Sequence, residues 1–139
     1  MFKQIVVAND GSDGGFKALS MACELAKLHR SKLRMISVEV LPDIPATIDE
    51  IVEAKDAENH IFHDVQKKAR VMAKTKGVKL ETEIIAGHAA ASIVERVKAI
   101  KADLLIVGFR GHSAFYERII GSTADRLVRL APCPVLVVK

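Results

Sequence analysis

The sequence predicts one α/β domain: a doubly wound sheet of five parallel strands with helices between them. Three observations carry this reading. Short apolar runs rich in β-branched residues alternate with longer amphipathic stretches along the whole chain. Several of the runs are continuous, not alternating, as strands buried on both faces are. The chain has 139 residues, half of them hydrophobic, enough for one core without disulfides or a metal.

The first strand is Ile5-Val6-Val7-Ala8. Phe16 to His29 then repeats apolar residues at helical spacing, with Ala18, Met21 and Ala22, Leu25, and Leu28 and His29 as its expected inner stripe. Leu33 to Val40 is the second strand, and Pro42 to Asp49, with two prolines and no periodicity, reads as a loop. Residues 50 to 76 form a long charged helix whose expected buried stripe is Ile51, Ala54, Ile61, Val65, Ala69 and Met72, stopped by Gly77. Leu80 to Ile85 is the third strand. Ala90 to Ile100 is a helix with Ile93, Val94, Val97 and Ile100 on one face. Leu104 to Val107 is the fourth strand. Ser122 to Leu130 is a helix facing inward through Leu127, Val128 and Leu130, and Val135 to Val138 is the last strand. There is no internal repeat, and residues 1–139 read as a single domain.

Composition excludes several classes. Aromatic residues make up 4% and there is no Trp, which argues against modules that stack bases on exposed rings. The net charge of +4 arises from 21 basic and 17 acidic residues interspersed along the chain, a solvated surface in which no nucleic-acid stripe stands out. Cys23 and Cys133 form no C-x-x-C pair and read as free intracellular thiols. Met1 runs directly into a strand-like segment, so no leader is expected, and no apolar run is long enough to span a bilayer. A cytoplasmic protein without a membrane or nucleic-acid partner is the expectation.

In open α/β sheets, ligands bind beyond the carboxyl ends of the strands. Here the first strand ends in Asn9-Asp10-Gly11-Ser12-Asp13-Gly14-Gly15, the third in Gly87, and the fourth in Gly108-Phe109-Arg110-Gly111, while the last helix opens with Gly121-Ser122-Thr123. Seven of the eight glycines therefore fall at one end of the sheet. Glycine permits close backbone approach and positive φ, and helix N-termini attract phosphate. Helix capping explains part of the same pattern, since Ser122 and Asp125 have capping-box spacing. No G-x-x-x-x-G-K-[ST] and no G-x-G-x-x-G is present, which excludes a Walker-type ATPase and a dinucleotide oxidoreductase.

Gly108-x2-Gly111-x9-Gly121-Ser122 resembles the nucleotide-binding signature of the universal stress protein family, G-x2-G-x9-G-[ST]. The opening Ile5 to Ser12 is similar to that family's first strand and acidic turn, and Ala131 to Val138 to its last strand, so the resemblance covers essentially the whole chain. It implies a Rossmann-like domain with strand order 3-2-1-4-5, commonly a homodimer. It also implies binding of ATP or AMP, with or without Mg2+, in a regulatory role under stress. Carried onto this sequence, it places Asp10 near adenine and ribose and Val38 against adenine through its backbone. Gly108 and Gly111 would lie along ribose and phosphate, with Gly121, Ser122 and Thr123 at the phosphates. In that strand order Val135 to Val138 is an apolar edge strand, suited to pairing with a second copy unless a helix or the Pro42–Asp49 loop covers it. Two residues depart from the pattern: Phe109 stands where small polar residues are frequent and would narrow the slot, and Ser37 where histidine is common.

Other residues carry less. His60 and His63, with Asp56 and Asp64, have a spacing open to metal but read as a solvated helix face. His88 lies near the ligand edge. Arg110, His112 and Arg118 are either phosphate partners or solvated cations, and Cys133 reads as packing. Asp10 has no clearly paired second carboxylate, and Asp13 qualifies only if its turn folds back. No catalytic constellation is visible, so at most slow ATP hydrolysis is expected. The alternatives to a nucleotide-binding regulator are an interaction module of the same fold that binds no nucleotide, and a slow ATP hydrolase.

Overall fold

The computed structural model describes residues 1–40, 47–110 and 119–139, without the side chains of residues 51 and 54–59. Gly111, His112, Arg118 and most of the Pro42–Asp49 loop thus lie outside the described residues, as do the side chains of Ile51, Ala54 and Asp56. The elements are β1 (Gln4–Ala8), α1 (Asp13–His29), β2 (Lys32–Val40), α2 (Ile48–Thr75), β3 (Leu80–Gly87), α3 (Ala89–Ile100), β4 (Leu104–Gly108), α4 (Ser122–Leu130) and β5 (Val135–Val138). All four strand pairings are parallel and the order is β3-β2-β1-β4-β5.

The continuous apolar runs follow from this order, because β1, β2 and β4 lie inside the sheet and are covered on both faces. Ile5 and Val7 of β1 join Leu33, Met35, Leu104 and Ile106 against α1 and α2. Val6 joins Ile36, Val38, Leu105 and Val107 against α3 and α4. Each such side chain contributes about 1.5–3 kcal/mol of transfer free energy on burial. Truncating the fully buried Leu105 to alanine costs about 2–5 kcal/mol through the lost contacts and the cavity left behind.

The helix boundaries fall close to their expected places, but three inner stripes are rotated. In α1 the buried residues are Gly15, Ala18, Leu19, Ala22, Cys23 and Ala26, whereas Met21 and Leu28 are exposed. Small residues face the sheet because α1 packs closely over β1 and β4, leaving the bulkier ones outside. In α2, Val65 and Ala69 are buried as expected, but Ile61 is exposed and Phe62 takes its inner place. In α4 only Ala124 and Leu127 are buried, and Val128 and Leu130 face out, because one side of this short helix meets the sheet. The face of α3 through Ile93, Val94 and Val97 stands as read.

Two caps also differ from expectation. Asp49 belongs to α2 and not to a loop: Thr47 caps the helix, its side chain accepting from Glu50 N–H while the Glu50 carboxylate accepts from Thr47 N–H. Ser122 is the first residue of α4 and not its cap. Gly121 occupies that position, and among the described residues no side chain caps the helix.

Candidate functional site

All βα connections of a parallel sheet lie at one end, and at that end β1 and β4 are the central neighbours. After β1 the chain turns through Asn9 to Ser12. Buried Asn9 accepts from Gly11 N–H at 2.9 Å through Oδ1, and Ser37 Oγ donates to the Asn9 carbonyl at 2.7 Å. Asp10 Oδ1 accepts from the Ser12 N–H at 2.9 Å and from the Ser12 hydroxyl, and Ser12 in turn caps α1 by accepting from Gly15 N–H at 3.1 Å. The turn that presents Asp10 is therefore tied to β2 on one side and to the start of α1 on the other. Ser37, where histidine would follow the family pattern, is one of these ties.

Close backbone approach brings the β4 end to the same turn. A Cβ on Gly14 would stand 2.3 Å from the Arg110 carbonyl oxygen, and one on Gly108 would stand 2.6 Å from that of Gly14. Neither contact tolerates a side chain. The Phe109 N–H donates to Val138 at 2.8 Å, and its carbonyl accepts from Gly121 N–H at 2.7 Å, which seats the N-terminus of α4 beside β4. Positive φ is used at Gly11 (86°) and Gly87 (151°); Gly121, at φ −60°, does not need it.

These elements enclose a cavity of about 900 Å3. Its apolar wall is formed by Ile36, Val38 and Val40 of β2, Phe62 of α2, and Ile93 and Val107. The opposite wall is polar, with Asp10, Ser12, Gly108, Arg110, Gly121 and Ser122, continuing through Thr123 and Asp125. The N-terminus of α4 borders this wall, with no side-chain cap among the described residues, a geometry that favours an anion. The cavity thus offers an apolar slot for a flat ring, a carboxylate for hydroxyl donors, and N–H groups with Arg110 for negative charge.

Of the seven residues singled out from sequence, Asp10, Val38, Gly108, Gly121, Ser122 and Thr123 line this one cavity, and Gly111 lies outside the described residues. Phe109 is not among the lining residues. Its ring lies under Lys139 Nζ, 5.4 Å from the centroid, so it does not narrow the slot. Asp13 is exposed in the first turn of α1 and does not fold back to the cavity, and exposed His88 caps α3 without lining it. His60 and His63 are exposed, and among the described residues no group of three His, Cys, Asp or Glu side chains is placed to hold a metal. Burial pushes the Cys133 thiol up from its ordinary value, the opposite of an activated nucleophile.

Sequence reasoning missed Asn9, Ile36, Phe62 and Asp125. Ile36 is legible in principle, since it shares a face with Val38 at a spacing of two. Phe62 is not: only the packing of α2 over the sheet brings it to the end of β2. Asp125, read as half of a capping box, stands in the cavity wall and pairs with Arg129 at 3.5 Å.

Comparison with known proteins agrees with this architecture. Residues 1–139 match the universal stress protein family. A universal stress protein of Methanocaldococcus jannaschii is 35% identical over 147 residues, covering 100% of this chain and 83% of that protein. The structure of universal stress protein UspA from Lactobacillus plantarum superposes with a TM-score of 0.91 at 28% identity, covering 99% of this chain and 97% of that one. A universal stress protein crystallised in complex with cAMP superposes with a TM-score of 0.78 at 27% identity, covering 99% and 97%. No helix among the described residues is long and apolar enough to cross a membrane. With a match over its full length, a shared sheet order and a glycine-lined cavity at the βα end, this chain belongs to the universal stress protein family.

Proposed function

We propose that the chain is an adenine-nucleotide-binding regulator of the stress response, acting as a homodimer. The observation that carries the reading is the cavity, where an apolar slot, the Asp10 carboxylate and the N-terminus of α4 meet. The base would lie against Ile36, Val38 and Val40, and the ribose hydroxyls would donate to Asp10. The phosphates of ATP or AMP would reach Gly108, Gly121, Ser122 and Thr123, with Arg110 as counter-charge and Gly111 following it in sequence. The structural relative crystallised with cAMP supports an adenine nucleotide as the ligand class. Any Mg2+ would enter with the triphosphate. Asp10 and Asp125 both line the cavity, and Asp125 pairs with the exposed Arg129; we read the site as one for binding and signalling.

The test is mass spectrometry of ligand released from freshly purified protein, followed by thermal melts with ATP, AMP, cAMP and GTP. Binding to the native state alone raises stability by about 2.7 kcal/mol at a hundredfold excess over Kd. The reading expects a released adenine nucleotide and a rise of several degrees with adenine but not guanine nucleotides. A flat melting temperature across the series would reject it.

A further inference from the structure

The cationic side chains, dispersed in sequence, converge in space. Every αβ connection of a parallel sheet lies at the end opposite the βα turns. At that end stand Lys3 before β1, Arg30 between α1 and β2, Lys32 opening β2, Lys79 before β3, and Lys101 between α3 and β4, all exposed. The last turns of the helices add Lys27, Lys74 and Lys98, as the helix dipole favours. The nearby acids are engaged. Asp103 accepts from the Lys3 and Gln4 N–H groups, Glu24 pairs with Lys76, and Glu81 pairs with Arg34. Among the described residues no ion pair involves Lys3, Arg30, Lys32, Lys79 or Lys101.

The helix dipole does not account for the whole pattern. Arg30 and Lys101 hold left-handed backbone at φ 55° and 58°, the positions where glycine ends a helix without strain. Two long cations are kept there against the local conformational preference. Two apolar side chains stand at the same end, Leu28 at 75% exposure and Leu130 at 53%.

We propose that this end of the sheet docks on an anionic phospholipid bilayer. Five strands spread the cations across roughly 20 Å, a broad front suited to a planar field of negative headgroups. Lysine predominates over arginine, giving point charges and not the forked donors that read bases. Leu28 and Leu130 supply apolar tips that can enter the headgroup layer, a role a nucleic acid would not use. The sequence-based expectation of no membrane partner rested on the absence of a spanning run; peripheral attachment needs none. The nucleotide cavity lies at the other end of the molecule, so this proposal does not depend on it.

The test is co-sedimentation with vesicles of phosphatidylcholine alone and of phosphatidylcholine mixed with phosphatidylglycerol, at low and high salt. The protein is expected to sediment with the mixed vesicles only, and to be released by salt. The double variant Arg30→Gly/Lys101→Gly removes two charges and relieves two left-handed positions, so it should melt no lower than the parent while binding at least tenfold more weakly. Lys17→Ala/Lys139→Ala removes the same charge elsewhere and should keep near-parental binding. Equal loss in both pairs, unchanged binding in the glycine pair, or no sedimentation with either vesicle would overturn the proposal. Tighter binding to duplex DNA than to mixed vesicles at equal salt would also overturn it, reassigning the face to nucleic acid.

Discussion

Glu39 is buried at the end of β2, and its Oε1 has no hydrogen-bond partner among the described residues. An unpaired buried polar group costs about 1–3 kcal/mol. Glu39→Met, similar in length and apolar, is therefore expected to raise stability by about 1–2 kcal/mol, read as a higher urea midpoint at unchanged slope. A lower midpoint would mean the carboxylate makes a contact that matters. The thiols give a second prediction at this scale. Burial pushes Cys23 up from its ordinary value of 9.0, with Glu24 adding to the effect and Lys76 opposing it. Burial, with a contribution from Asp103, raises Cys133 likewise. The neutral thiol is thus favoured in the folded state. That contribution is fully present below the unfolded value and is lost as pH rises through the folded one. Stability should fall on raising the pH above about 9, and Cys23→Ala/Cys133→Ala should flatten that fall while lowering stability at neutral pH. An identical alkaline slope in the double variant would contradict the assignment. At this scale the site was largely legible: Asp10 and the glycines announce themselves by type. Asn9 and Phe62 did not, since their roles depend on Gly11 and on a helix more than fifty residues from β1.

At the scale of elements, each strand and helix was readable from apolar period and stop residues, and boundaries moved by only a few positions. Helix phase was not readable where the face toward the sheet is built from small residues. In α1, Ala18, Ala22 and Ala26 give no stronger periodic signal than the exposed Met21 and Leu28. The N-terminus of α4 is the element on which the site depends. Gly121 has φ −60° and ψ 150°, which valine adopts without strain, so Gly121→Val tests the site separately from the fold. Its branched side chain would intrude where the anion meets the helix. The variant should melt within a few degrees of the parent and lose at least tenfold in ATP affinity. Parental affinity would remove phosphate from this end of the cavity.

At the scale of the whole molecule, β5 lies at the edge of the sheet and pairs only with β4 among the described strands. Val135 and Val137 pack toward α3 and α4, and Leu136 and Val138 toward α1, but none is fully buried. The opposite backbone edge is suited to antiparallel pairing with a second copy, so light scattering should give about twice the chain mass of 15.2 kDa. Val137→Pro removes a strand donor and should shift that mass toward the monomer. A monomer in the unmodified protein would exclude the dimer. The strand order rested on family resemblance alone, because parallel strands of similar composition do not declare their neighbours. The cationic end was illegible for the same reason, as its residues are separated by whole elements and meet only through the topology.

The most direct measurement is titration calorimetry of the purified protein with ATP, AMP and GTP. The account predicts saturable binding of adenine nucleotides with Kd between micromolar and millimolar, roughly 4 to 8 kcal/mol, weaker binding of GTP, and loss of ATP binding in Gly121→Val. Absence of heat with every adenine nucleotide at millimolar concentration, with no accompanying rise in melting temperature, would contradict it.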